Sequence, residues 1–285
     1  MLQEHQRDQA LALWLEKTDH WFPEHITKSA WLEHTPFAAW LIPALRPRVV
    51  VELGTHRAVS YMAFCRANAK LEIPAKCFAV DTWQGDEHAG TYSDEIFDEV
   101  AKLNEQYRDF STLLRCRFDE ALGQFQDGSI DLLHIDGLHT YEAVSEDFYS
   151  WLPKMSERGV ILFHDTEVRT RNFGVWQLWA EISQRYPHFD FKHGFGLGVL
   201  VVGSERPNEI FEICEAFKNP TSRASFRKLF EARGREVSDK YAAMMDAEFQ
   251  KIWWFPYVSP LKKFLKKILP TAVIEQLSLL LRRAR

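Results

Sequence analysis

Apolar runs recur along the first two thirds of the chain, and three of them end in residues that carry chemistry. Val49-Val50-Val51-Glu52-Leu53-Gly54-Thr55 ends in an acid and a glycine. Ile130-Asp131-Leu132-Leu133-His134-Ile135-Asp136-Gly137-Leu138-His139 and Gly159-Val160-Ile161-Leu162-Phe163-His164-Asp165 each end in an acid with a histidine beside it. Runs this apolar, without a clear alternation of two, read as strands buried on both faces of a parallel sheet. Strand patterns fall at 48–53, 76–81, 112–117, 130–136, 158–164, 188–193 and 197–202. Helical patterns fall between them at 58–70, 92–107, 119–126, 140–153 and 173–185. Strands alternating with helices of this length imply βαβ units and a parallel sheet. Gly194-Phe195-Gly196 joins the last two strands as a hairpin, which predicts one antiparallel strand near an edge. The expected fold class is therefore α/β, with a seven-stranded, mostly parallel sheet. In such a sheet ligands bind at the carboxyl ends of the strands, where the acids, glycine and histidines should converge.

Three regions follow from the pattern. Residues 1–45 read as a helical, Trp-rich N-terminal cap with breaks at Pro23, Pro36 and Pro43. Residues 46–203 carry the α/β alternation. Residues 204–285 read as a helical C-terminal extension, with helices at 207–217, 222–232 and 237–254 and a basic tail.

Composition narrows the class. The chain is 46% apolar and contains ten Trp and twenty-one Phe, which argues against extensive disorder. Its four cysteines show no CxxC or zinc-type spacing and fit a reducing, cytoplasmic compartment. The start of the chain is polar, with no signal-peptide core, and no apolar stretch is long enough to span a membrane. Net charge is −5, but residues 261–285 hold seven Lys/Arg against one acid, which leaves −11 on the remainder. An acidic body argues against a nucleic-acid partner.

At the nucleotide end of the expected crevice, Gly54 allows a tight turn and close backbone approach to a ligand. Thr55 and His56 follow it, so the GxGxxG fingerprint is absent, which disfavours NAD and FAD. The Walker A pattern is absent too. A ligand without phosphate, such as S-adenosylmethionine (SAM), needs fewer close-approach glycines. Asp81, ending the second strand, is placed to bind ribose hydroxyls, or else caps the next turn. Asp119 after the third strand reads either as a helix cap or as a contact to adenine. For Glu52 a cofactor role competes with a structural one. The segment 82–92, containing Trp83, reads as a mobile loop over cofactor or acceptor, or as a surface connection packed by Trp83.

At the chemical end, Asp136 and His139 stand three residues apart where a strand gives way to a helix, and Asp165 ends the neighbouring strand. Two carboxylates from adjacent strand ends form a plausible hard-cation site. His164 would add a nitrogen ligand, but alternation along a strand turns adjacent residues to opposite faces. A metal lowers the pKa of an acceptor hydroxyl, and a histidine takes its proton; His139 is the candidate base. His134, inside its strand, reads as a packed histidine.

The stretches VELGTHRAVSY (51–61), AVDTWQGDEHAGTY (79–92), FDEALGQFQDGSIDLLHIDGLHTYEAVSEDFYSWLP (118–153) and RGVILFHDT (158–166) resemble the class I SAM-dependent methyltransferases of the cephalosporin hydroxylase and rhamnosyl O-methyltransferase type, a methyltransferase family 24-like group. The resemblance covers about residues 30–203. It implies a Rossmann-like fold and a divalent cation (Mg, or Mn) at Asp136, His164 and Asp165, with His139 as base; with it, Glu52, Gly54, Thr55, Asp81, Trp83, Asp119 and Asp136 are the candidate SAM-binding residues. In the family an acid stands where this chain has His164, and a glycine where it has Ala58. The resemblance also implies a saccharide or glycoconjugate acceptor and a glycosyltransferase partner in surface polysaccharide assembly. A non-catalytic SAM-fold docking module of such a complex is the alternative.

Leu261, Phe264, Leu265, Ile268 and Leu269 are spaced as a helical stripe with lysines between them, and a second stripe follows Pro270. Such a basic amphipathic tail suits peripheral binding to an anionic inner membrane surface, or packing on the domain or on a second copy as a homo-oligomer.

Overall fold

The computed structural model describes residues 23–88, 90–205 and 208–253. The tail at 261–285, with its membrane and oligomer expectations, and the first 22 residues of the cap lie outside the described residues. The chain divides into two units, Met1–Ser238 and Asp239–Arg285. Among the described residues no helix is long and apolar enough to cross a membrane.

The sheet has seven strands: β1 (Val49–Leu53), β2 (Lys76–Asp81), β5 (Ser111–Arg115), β6 (Ile130–Ile135), β7 (Met155–His164), β8 (His188–Phe191) and β9 (Leu197–Val201). A separate two-stranded ribbon pairs β3 (Gly85–Asp86) with β4 (Gly90–Thr91), inside the segment expected to be a loop. The strand order is β5-β2-β1-β6-β7-β9-β8. Pairing is parallel from β5 to β7, and β9 runs antiparallel to both β7 and β8. One antiparallel strand next to the edge is what the Gly194–Gly196 turn predicted. The helices on its faces include α1 (Thr35–Leu45), α2 (Val59–Lys70), α3 (Asp94–Asn104), α4 (Phe118–Ala121), α5 (Tyr141–Trp151), α6 (Val175–Ile182), α7 (Asn208–Ala216) and α8 (Pro220–Trp253).

The long apolar runs became the central strands because β1, β6 and β7 are covered on both faces. Val50, Val51, Leu132, Leu133, Ile161 and Leu162 are all fully buried. One side of the sheet packs on α5 and α6 through Phe148, Trp151, Leu178 and Ile182. On the other side α1 is buried around nearly its whole circumference, which explains its lack of a polar stripe. Phe37 of α1 meets Phe189 and Phe191 of the sheet and Phe230 of α8 in one aromatic cluster.

Two of the breaks expected at prolines are not breaks. Pro36 sits in the first turn of α1, where its missing N–H costs nothing, and Pro43 is carried inside the same helix. The helices expected at 222–232 and 237–254 are one continuous helix, α8. Gly234 in its middle serves close packing: a Cβ there would lie 2.3 Å from the Glu33 carbonyl oxygen.

Asp131, the acid at the start of β6, lies at the opposite end of that strand from Asp136. It is fully buried and accepts from the Arg48 backbone N–H (2.7 Å), from the Arg48 guanidinium (3.1 Å) and from the Ser156 hydroxyl. Burial alone would raise its pKa, but these bonds outweigh it and hold the carboxyl below the ordinary aspartate value. A depressed folded pKa stabilises the fold above the unfolded value, near 3.9, and that stability is lost as pH falls through the folded value. Asp131→Ala should therefore cost about 1–3 kcal/mol in urea unfolding at pH 7, because Ser156 and the Arg48 N–H lose their acceptor. The difference should shrink in a series taken below about pH 4. A cost under about 0.5 kcal/mol at pH 7 would contradict this role.

Candidate active site

The sheet order reverses direction between β1 and β6, with β2 and β5 on one side and β7 on the other. A crevice opens there, as expected at such a switch point. Its floor is a close approach of two backbones. Gly54 N–H donates to the Val80 carbonyl (3.0 Å), and Asp136 N–H donates to the Leu53 carbonyl (2.8 Å). Gly54 has φ +86°, and a Cβ on it would lie 2.1 Å from the Asp136 carbonyl oxygen. Only glycine fits. Ala58, where the family has glycine, is also left-handed (φ +62°) and fully buried, so its methyl group is accommodated despite the backbone preference.

The crevice is a cavity of about 740 Å³. Gly54, Thr55, Asp81, Asp136, His139 and Asp165 line it, as expected, and so does His164. Asp81 is held as an acceptor for three backbone N–H groups: Thr55 (2.8 Å) and His56 (2.9 Å) on Oδ2, and Trp83 (2.7 Å) on Oδ1. It therefore organises the turn, and it lines the cavity as well.

Three residues expected to touch a cofactor do not line the cavity. Glu52 is fully buried and bonded to His134 Nδ1 at 2.8 Å. His134 Nε2 accepts from Trp31 Nε1 (3.0 Å), so the proton sits on Nδ1 and is donated to Glu52. Burial raises the Glu52 pKa against that hydrogen bond. The side chain faces away because alternation along β1 turns it into the layer under α1 and α2. His134 is the packed histidine expected, in contact with Trp31 and Phe64. Asp119 is exposed and tied to Arg117, the residue that instead lines the cavity together with Phe118. Trp83 is 1% exposed, packs on Phe97 and donates Nε1–H to the His56 carbonyl (2.9 Å), which favours the packed-connection reading of that segment.

At the chemical end four side chains meet. The parallel register pairs Ile135 with Phe163, which sets Asp136 beside His164. Asp165 then takes φ +61°, leaving the strand conformation. That left-handed residue breaks the alternation, so His164 and Asp165, adjacent in sequence, both face the crevice. His164 Nδ1 lies 3.3 Å from Asp136 Oδ1 and 3.4 Å from Asp165 Oδ2. His139 Nε2 lies 3.4 Å and 2.9 Å from the same two oxygens. The other nitrogen of His164, Nε2, donates to the Gly194 carbonyl at 3.0 Å. His139 is stacked on Phe173 with centroids 4.5 Å apart and planes 8° apart.

Electrostatics bind this group together. Burial would lower both histidines, but the carboxylates outweigh it: His139 is raised to about 9 and His164 is raised well above its ordinary value. Burial would raise Asp136 and Asp165, but the histidines hold both below the usual range. The two carboxylates and the two rings thus each favour the other's charged form. The oxygens of Asp136 and Asp165 and a nitrogen of His139 all lie within 4.8 Å of one another, an arrangement that can hold a metal ion.

Sequence reasoning missed the contribution of the N-terminal segment. Lys28, Ser29, Ala30 and Trp31 form part of the cavity wall, and Phe195 closes another part from the β8–β9 turn. Nothing in the local pattern of either segment signals this; only the tertiary fold brings them to the crevice.

Residues 51–166 match the family model described as "Methyltransferase domain". The chain is 55% identical over 186 residues to the curated "Uncharacterized protein y4gI" of Sinorhizobium fredii (strain NBRC 101917 / NGR234), a match covering 65% of this chain and 20% of that relative. The chain therefore spans about one fifth of the length of the curated relative it matches. Among solved structures, it resembles a putative caffeoyl-CoA O-methyltransferase from Staphylococcus aureus with TM-score 0.47 and 15% identity, covering 71% of this chain and 97% of that one. It resembles the O-methyltransferase TomG from Streptomyces achromogenes, solved in complex with SAM, with TM-score 0.46 and 12% identity, covering 67% and 96%. Residues 51–166 thus carry the sequence pattern of a methyltransferase domain, and the sheet order displays its motifs at one crevice.

Proposed function

We propose that the chain binds SAM in the crevice and transfers its methyl group to a hydroxyl oxygen, assisted by a divalent cation. The observation that carries this reading is the convergence of Asp136, His139, His164 and Asp165 at the mouth of a cavity whose other end is built on Gly54 and Asp81. A saccharide or glycoconjugate acceptor is supported by the motif resemblance over 118–153 alone.

The donor set suits a cation. Asp136 and Asp165 offer hard oxygens, and His164 offers a borderline nitrogen, which favours manganese alongside magnesium. His164 suits the ligand role because the Gly194 carbonyl occupies Nε2, leaving Nδ1 turned toward the two acids. His139 sits more openly, with its side chain 15% exposed against 3% for His164, which suits it to meet an acceptor.

Bound here, SAM supplies an electrophilic methyl group, and the cation supplies a Lewis acid that acidifies the acceptor hydroxyl. Gly54 would admit the cofactor against the backbone, and Asp81 would accept from a ribose hydroxyl. With a cation drawing the charge of Asp136 and Asp165, His139 would be released from the pairing that holds it protonated and would take the hydroxyl proton at Nε2, while Phe173 holds its plane. Transfer of the methyl group from the sulfonium to the acceptor oxygen would leave a neutral thioether and the acceptor's proton on His139.

Calorimetric titration with SAM should give saturable binding to the wild type. Gly54→Ala should weaken it by at least about tenfold, since its Cβ meets the Asp136 carbonyl and its φ is left-handed. Wild-type affinity in that variant would place the cofactor elsewhere. Transfer of a labelled methyl group to a panel of methyl glycosides and polysaccharide fragments should be abolished by EDTA and restored by Mg²⁺ or Mn²⁺. His139→Ala should lower transfer by about 10²- to 10⁴-fold with SAM affinity unchanged. SAM binding without transfer to any acceptor would favour the docking-module alternative.

A further inference from the structure

We propose that His34 is a positioning residue for the cation ligand His164, acting through the carbonyl oxygen of Gly194. The inference rests on the cation site just described. His34 ends the short 3-10 turn Ala30–His34 and is fully buried, outside the cavity wall. Its Nε2 donates to the Gly194 oxygen at 3.1 Å, and His164 Nε2 donates to the same oxygen at 3.0 Å. A backbone carbonyl has two lone pairs, so these two histidines fill it.

The shared oxygen matters because a carbonyl only accepts. It obliges His164 to carry a proton on Nε2, and so leaves Nδ1 as the nitrogen with a lone pair to give, facing Asp136 and Asp165. A ligating imidazole commonly has its other nitrogen fixed in this way.

The carbonyl itself needs an external tether. Gly194 (φ +55°), Phe195 (φ +66°) and Gly196 (φ +90°) are three consecutive left-handed residues, and a phenylalanine there is a true outlier. The turn closes on itself through the Gly196 N–H to the His193 carbonyl (2.9 Å), but that bond leaves the Gly194 carbonyl with no partner inside the turn. On one side the Glu167 N–H bonds the Phe195 carbonyl (2.9 Å); on the other His34 bonds the Gly194 carbonyl. His34 cannot swing away, because its ring is packed against Trp31, His193 and Phe191. The fit is tight enough that a Cβ at position 194 would lie 2.8 Å from His34 Nε2.

The test uses Co²⁺ alone as probe, titrated into full-length protein and followed by calorimetry and by its visible ligand-field bands. His34→Leu removes the donor, and His34→Gln keeps one at nearly the same place. His34→Leu should weaken Co²⁺ binding by about 10- to 100-fold and alter the bands, while His34→Gln stays within about threefold of wild type. Gly194→Ala, which intrudes on the same bond from the other side, should also weaken Co²⁺ binding. Wild-type affinity and spectrum in a folded His34→Leu protein would overturn the proposal. So would equal weakening in the Leu and Gln variants, which would make His34 a packing residue only. If His34→Leu does not give a cooperative melt, Gly194→Ala decides, and unchanged Co²⁺ affinity there overturns the proposal. Absence of Co²⁺ binding by the wild type would instead overturn the cation site itself, and this inference with it.

Discussion

The backbone of β1 and the backbone of β6 run so close at their carboxyl ends that no side chain fits between Gly54 and the carbonyl of Asp136. That contact sets the rest of the crevice. It brings the turn after β1 under Asp81, whose carboxylate gathers the N–H groups of Thr55, His56 and Trp83. It also fixes where β6 ends, and hence where Asp136 stands relative to its neighbour β7. The residues proposed for a cofactor and those proposed for a cation are thus positioned by one backbone approach at the switch in strand order.

The second constraint is electrostatic. Asp136 and Asp165 lie close enough that, unpaired, they would repel in a partly buried site. His139 and His164 resolve this by sharing the same two oxygens. The left-handed Asp165 makes the arrangement possible, since a regular strand would send His164 and Asp165 to opposite faces. Strain at that residue and in the Gly194–Gly196 turn is concentrated at the site, where surrounding contacts hold it.

Much of this was legible along the chain because buried parallel strands announce themselves as apolar runs, and their ends are where function gathers. Gly54, Asp136, His139 and Asp165 were readable on that basis, as was the antiparallel strand from its glycine turn. The errors share one cause: side-chain direction and burial depend on tertiary partners. Glu52 sits one residue from a strand end yet points into the core. Asp119 follows a strand yet turns outward to Arg117. Trp83 packs where it could as well have faced the cofactor. Pro43 read as a break, but it is absorbed in a buried helix, and the helices expected at 222–232 and 237–254 are one, in which Gly234 lets α8 pass close to the Glu33 backbone. The tether from His34 to Gly194 joins residues 160 positions apart and leaves no local signature.

The central claim is that one crevice holds SAM at its Gly54–Asp81 end and a divalent cation at its Asp136–Asp165 end. Crystals grown with S-adenosylhomocysteine and Mn²⁺ test it directly, through the anomalous difference map at the manganese edge. The account predicts one strong peak bounded by Asp136, His164 and Asp165, with the ribose of the nucleoside against Asp81. A cavity that holds the nucleoside with no anomalous peak at those three residues, or manganese bound elsewhere, would contradict it.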